Sequence, residues 1–129
     1  MKFYSNIYKP NKENLAKASK LIKSGAVIAI PTETVYGLAG NAYRKDAIKK
    51  IYSLKNRPKN NPLIVHFPSL AAMQREVVIN NQLIRLAKHF SPGPLTYIQS
   101  LKKGSKISKL VLNSKKQIAC RIPNHKTFL

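Results

Sequence analysis

Apolar positions follow a helical period in some stretches of the chain and a strand period in others. After Asn11, a good N-cap residue, Leu15, Ala18, Leu21 and Ile22 fall on one helical face, and Gly25 supplies a stop. This predicts a helix from Asn11 to about Ser24. Ala26 to Ile30 is a short apolar run that predicts a buried strand, ended by Pro31. Thr32 to Gly40 is rich in Thr and Gly and fits neither period. Asp46 is placed to cap a second helix with Ile48, Ile51 and Leu54 facing inward, and the Pro- and Asn-rich stretch from Asn56 to Pro62 breaks it.

A strand is expected at Leu63–Phe67, a short helix from Ser69 to about Val78, and a longer one from Asn81 to Phe90. Pro-Gly-Pro at 92–94 reads as a rigid turn into a strand over Leu95–Leu101. From Gln117 to Ile122 the residues alternate: Ile118, Cys120 and Ile122 on one side, Ala119 and Arg121 on the other, as in a strand. Pro123, Asn124 and His125 resemble the start of a further helix. Strands interleaved with helices give an α/β class, a sheet covered by helices.

The size, 129 residues, fits a single domain, and 43% hydrophobic residues are enough for a core. The five-residue run Ala26–Ile30 is the longest uninterrupted apolar stretch, far short of the roughly 20 needed to cross a bilayer, and no secretory signal follows Met1. No membrane association is expected, and the cytoplasm is the default compartment. A lone cysteine, Cys120, excludes an internal disulfide framework and a multi-cysteine zinc site.

Charge narrows the chemistry further. Twenty-four Lys and Arg against four Asp and Glu leave a formal charge of +20. The acids Glu13, Glu33, Asp46 and Glu76 are so widely spaced that no two lie within a dozen residues, which disfavours a paired-carboxylate hydrolase, a calcium cage or a two-metal site. No protein-ligated metal is expected. The positive excess suits a nucleotide, an RNA or an acidic surface. Nineteen of the basic residues are lysine, however, a bias that an AT-rich coding sequence also produces, and scattered surface lysines are usually just solvated.

Three segments carry polar groups in suggestive places. Pro31-Thr32-Glu33-Thr34-Val35-Tyr36-Gly37-Leu38 follows a predicted strand, where α/β sheets place ligands, although such hydroxyls also satisfy local turns. In Lys55-Asn56-Arg57-Pro58-Lys59-Asn60-Asn61-Pro62, Arg57 can fork onto a phosphate or carboxylate while Lys55 supplies a point charge; cations at a helix end also simply suit its dipole. Arg121 points away from the Ile118–Cys120–Ile122 face and would be an anion anchor if it met a cleft shared with Arg57. His66 lies inside a strand, where a lone histidine is more often structural, and His89 reads as surface.

The ordered blocks PTETVYGL, KNRPKNNPLIVHF, FSPGPLTYI and CRIPNH closely resemble the Sua5/YrdC/YciO family of threonylcarbamoyl-AMP synthases, over about Asn14 to Asn124. The resemblance implies an open twisted mixed α/β sheet with helices, of YrdC/RibB-like type, around a positively charged cleft. It implies ATP-dependent synthesis of threonylcarbamoyl-AMP from L-threonine and bicarbonate, for t6A modification at position 37 of tRNA by a downstream transferase complex. By position, Thr34 and His66 would contact L-threonine and Arg121 its carboxylate. Arg57 and Asn61 would hold the ATP phosphates with Lys55 beside them, Lys55 and Arg57 acting as the catalytic cations. Mg2+ would arrive with ATP.

Two departures from the family pattern stand out. Ser91 replaces the usual aromatic before Pro-Gly-Pro. Relatives also continue past the Arg-x-Pro-x-His segment into a helix, a strand and a Ser-x-Asn motif that binds ATP, whereas this sequence stops at Leu129. The expectation is therefore one domain, 1–129, incomplete at its C-terminal end, keeping the threonine pocket and binding ATP poorly. The competing expectation is a non-catalytic module for tRNA or double-stranded RNA, although no aromatic-interleaved basic motif supports base stacking. Related carbamoyl-adenylate chemistry in hydrogenase maturation proteins belongs to a larger chain with zinc-finger-like segments, absent here.

Overall fold

The structure is a computed structural model and describes residues 11–31, 36–56, 62–112 and 116–124. Helix α1 spans Lys12–Lys23; Asn11 caps it by accepting the Asn14 amide at 2.8 Å. Its apolar face packs only partly: Leu15, Ala18 and Ile22 are half-buried and Leu21 is exposed. Gly25 follows with φ +97°, a left-handed conformation that glycine adopts without strain. A Cβ there would stand 2.9 Å from the Arg44 guanidinium.

Strand β1 (Ile28–Pro31) pairs antiparallel with β2 (Tyr36–Ala39), so the ambiguous stretch after Pro31 contributes a strand. Two expectations change here. Pro31 belongs to the strand, opposite Tyr36, because a proline is tolerated at a strand end. Nor is β1 fully buried: Ile28 and Ile30 alternate with exposed Ala29, since this sheet has only two strands among the described residues.

Helix α2 spans Lys45–Leu54 and buries Ala47, Ile48, Ile51 and Tyr52. The predicted cap does not form. Arg44 occupies the N-cap position without a side-chain bond, and Asp46 sits in the first turn. There Asp46 receives Arg44 Nε at 3.0 Å and Nη2 at 2.9 Å, as well as the Ala47 amide. The Arg44 bonds pull the Asp46 carboxyl below its usual range. Leu54 is 67% exposed rather than inward; at about 100° per residue it falls roughly a quarter-turn from the centre of the buried face.

The second sheet holds three strands in the order β3-β5-β4: β3 (Ile64–His66), β4 (Tyr97–Ser100) and β5 (Gln117–Arg121). β5 runs parallel to β3 and antiparallel to β4, giving the expected mixed pairing. Between β3 and β4 lie α3 (Leu70–Glu76), capped by Ser69, and α4 (Asn81–Phe90), which has the expected bounds and is capped by Asn80. α3 ends before Val78 because Val78 donates to Ser100 and Val77 bridges Leu101, which draws the chain into extended pairing. A short 3₁₀ turn, Lys109–Val111, precedes β5 and is not apparent in the apolar pattern.

One core unites the second sheet with α2, α3 and α4. Val65, Tyr97, Ile118, Cys120 and Ile122 meet Ile48 and Tyr52 of α2, Met73 of α3, and Leu83 and Ala87 of α4. Ile118, Cys120 and Met73 are fully buried. Among the described residues no helix is long and apolar enough to cross a membrane. Ile118→Ala is expected to cost about 2–5 kcal/mol of stability through the lost contacts and residual cavity, and Leu54→Ala under about 0.5 kcal/mol. Urea unfolding of the two variants checks the contrast.

Candidate functional site

The central strand carries the argument from fold to site. In the register of β5, Cys120 stands between Val65 and Tyr97, and these three face the core. Side chains one position further along point the opposite way. There Arg121 stands beside His66 of β3, at the carboxyl ends of both strands. Loops and side chains at such ends are where open α/β sheets take their ligands.

A cavity of about 660 Å³ opens at this place. His66 and Arg121 line it from the three-stranded sheet, Lys55 from the end of α2, and Gly37, Leu38 and Ala39 from β2. Arg121 is half-buried, and its guanidinium donates to Thr96 Oγ1 from Nε at 3.2 Å and Nη2 at 2.8 Å. The Phe67 amide donates to the Arg121 carbonyl at 2.9 Å, which locks the strand ends together.

Lys55 is delivered by the way α2 ends. Its amide returns to the Ile51 carbonyl, and the next residue, Asn56, takes φ +49° and donates to the Ser53 carbonyl. Asn is among the residues that accept the left-handed conformation after a helix C-cap. The chain therefore turns sharply at Asn56 and leaves the exposed Lys55 at the cavity wall.

The structure thus brings Lys55, His66 and Arg121 to one cavity. Thr34, Arg57 and Asn61 lie outside the described residues, and with them the Arg57 side of the cleft expected to be shared with Arg121. His89 is exposed, as expected.

The cavity also holds groups that the pattern did not single out: Tyr43, Arg75 and Glu76. Glu76, half-buried at the end of α3, accepts the Tyr43 hydroxyl at 3.0 Å and the Ser105 hydroxyl. Burial, followed by the bond to Glu76, raises the Tyr43 phenol above its ordinary pKa, so it stays a donor. Glu76 thereby pins the segment after β4 to the α3 end, reinforced by the Lys102 amide on its carbonyl. No local motif announces such a bond, because its partners are 33 and 29 residues away. Among the described residues no three His, Cys, Asp or Glu side chains converge as a metal site would require.

Residues 20–129 match the Sua5/YciO/YrdC family, which carries the description "Telomere recombination". The chain belongs to this family. Threonylcarbamoyl-AMP synthase of Bacillus subtilis is 40% identical over 116 residues, covering 89% of this chain and 33% of the relative. The enzyme of the same name from Pyrococcus abyssi is 38% identical over 115 residues, covering 87% and 33%. The fold agrees as well. P. abyssi Sua5 complexed with L-threonine superposes with a TM-score of 0.86 at 34% identity, covering 92% of this chain and 35% of that one. E. coli YciO, at 23% identity, shares the fold with a TM-score of 0.82, covering 93% and 58%. The chain therefore spans about a third of the length of these Sua5-type relatives.

The lone cysteine, Cys120, lies on the core side of the sheet, away from the cavity. It is fully buried against Met73, and burial pushes its thiol up to about 12. In the folded family domain it should resist iodoacetamide at pH about 9 and react readily once urea unfolds the chain, as thiol labelling followed by mass spectrometry will read. The sign of the pH effect follows: the thiol's contribution to stability is complete below about 9, its ordinary value, and is lost as pH rises towards about 12. Cys120→Ala should flatten that alkaline part of the stability profile, measured by thermal unfolding.

Proposed function

We propose that this chain forms the L-threonine pocket of a threonylcarbamoyl-AMP synthase and takes part in ATP-dependent condensation of L-threonine with bicarbonate. The reading is carried by one observation above the rest: His66 and Arg121 stand side by side in register and line the same cavity. A guanidinium can fork onto an amino-acid carboxylate, and a neighbouring imidazole can hydrogen-bond the rest of the headgroup. The relatives point the same way: one is a threonylcarbamoyl-AMP synthase and another is Sua5 complexed with L-threonine.

In this reading Thr34 joins His66 and Arg121 on the amino acid, while Lys55, Arg57 and Asn61 take the ATP phosphates. The threonine amine attacks bicarbonate with loss of water, or carbon dioxide derived from it with loss of an amine proton, forming a carbamate. A carbamate oxygen then bonds to the α-phosphorus of ATP and pyrophosphate leaves. Each reactant is an anion or becomes one, so the cations neutralise and align, and no protein nucleophile is needed. Mg2+ would ride on the nucleotide phosphates, in keeping with the scarcity of acids. The product would serve tRNA modification in the cytoplasm.

Calorimetry with L-threonine tests the pocket. The parent should bind, and Arg121→Ala should weaken binding roughly 10- to 100-fold, the range for losing a charged hydrogen-bond partner. Absence of threonine binding by a folded parent refutes the pocket. Pyrophosphate release that requires both L-threonine and bicarbonate tests the reaction. RNA binding that falls steeply with salt and ignores threonine would favour an RNA-holding role instead.

A further inference from the structure

The Arg121 side chain has a neighbour on each side. Extending the antiparallel register Tyr97↔Cys120 by one residue places Thr96 opposite Arg121, as His66 is on the other flank. A row His66–Arg121–Thr96 therefore crosses the sheet at the cavity end, on the face away from Cys120. His66 and Arg121 line the cavity, whereas Thr96 lines a separate surface hollow beside α4.

Thr96 Oγ1 accepts from both Nε and Nη2 of Arg121, at 3.2 and 2.8 Å. These two nitrogens form one edge of the planar guanidinium. A single acceptor bridging that edge fixes the plane of the fork. The threonine is suited to this task because two heavy atoms on its Cβ restrict χ1, so the acceptor itself is held in place. An arginine tethered in this way loses less freedom when a ligand carboxylate docks.

We infer that Thr96 is a positioning residue for L-threonine recognition: it orients the Arg121 guanidinium toward the substrate carboxylate without touching the substrate. This deepens the threonine-pocket reading and rests on it for the identity of the ligand. The hydrogen-bond geometry stands independently of that reading.

Two measurements on the full chain test it. First, the Arg121 Nε–H resonance, assigned by its loss in Arg121→Lys, should be protected from exchange in the parent and in Thr96→Ser, and lose that protection in Thr96→Val. Protection that persists in Thr96→Val overturns the inference whatever the ligand does. Second, Thr96→Val should weaken L-threonine binding about tenfold by calorimetry, and Thr96→Ser should stay within about threefold. In an Arg121→Ala background Thr96→Val should add nothing, since no guanidinium remains to orient. Equal threonine affinity of the parent and Thr96→Val, or an undiminished effect in the Arg121→Ala background, overturns it. A parent that shows the protected resonance but binds no threonine refutes the pocket reading and leaves the tether demonstrated. If Thr96→Val does not fold, Thr96→Ala against Thr96→Ser carries the same comparison.

Discussion

The pairing of β5 with neighbours on both sides is the constraint on which the rest depends. Its alternation sends Ile118 and Cys120 into the core, where they are fully buried, and sends Arg121 out of the opposite face. A slip of one residue in register would invert both sets. The apolar side would then lose its partners on α3 and α4, and the arginine would face the core unpaired. Core packing and placement of the cation are thus the same physical event. The burial of Ile118 and Cys120 keeps Arg121 where a ligand can meet it.

The site is assembled by different local devices around that fixed strand. β3 brings His66 through parallel pairing, and Thr96, just ahead of β4, grips the guanidinium through two hydrogen bonds. Lys55 arrives through the left-handed turn at Asn56 after α2. Glu76 fastens Tyr43 and Ser105 at the cavity's far wall. In a chain of +20 formal charge, that one carboxylate among the cavity residues serves as an acceptor for hydroxyl groups rather than as the partner of a described lysine or arginine. Arg44 and Asp46 make the ion pair seen among the described residues, away from the cavity.

Features set by near neighbours along the chain are legible in the amino-acid sequence itself. The Asn11 cap, the Gly25 stop, the Ser69 cap and the alternation of Gln117–Ile122 each depend on side chains within a few positions, and each forms as expected. Features set by distant partners are not legible in this way. Arg44 reaches back 21 positions to the Lys23 carbonyl, at 3.2 Å, and holds Asp46 in the first turn of α2 instead of at its cap. β2 emerges from an ambiguous stretch because β1 supplies it with a partner. At the site, the family resemblance leads to His66, Lys55 and Arg121, but periodicity cannot reveal Thr96 or Glu76. Both matter through contacts made across 25 or more positions.

The junction at Gly25 has a consequence for how relatives of this chain can diverge. Arg44 fills the space where a side chain at 25 would project, and it holds Asp46 and the Lys23 carbonyl at the same time. The Lys50 ammonium reaches the Gly25 carbonyl from the next turn of α2. A side chain at position 25 would have to tolerate the left-handed backbone and also displace Arg44, which would strand the aspartate two residues on. The backbone at Gly25 and the Arg44 side chain thus constrain the junction between the first two helices together.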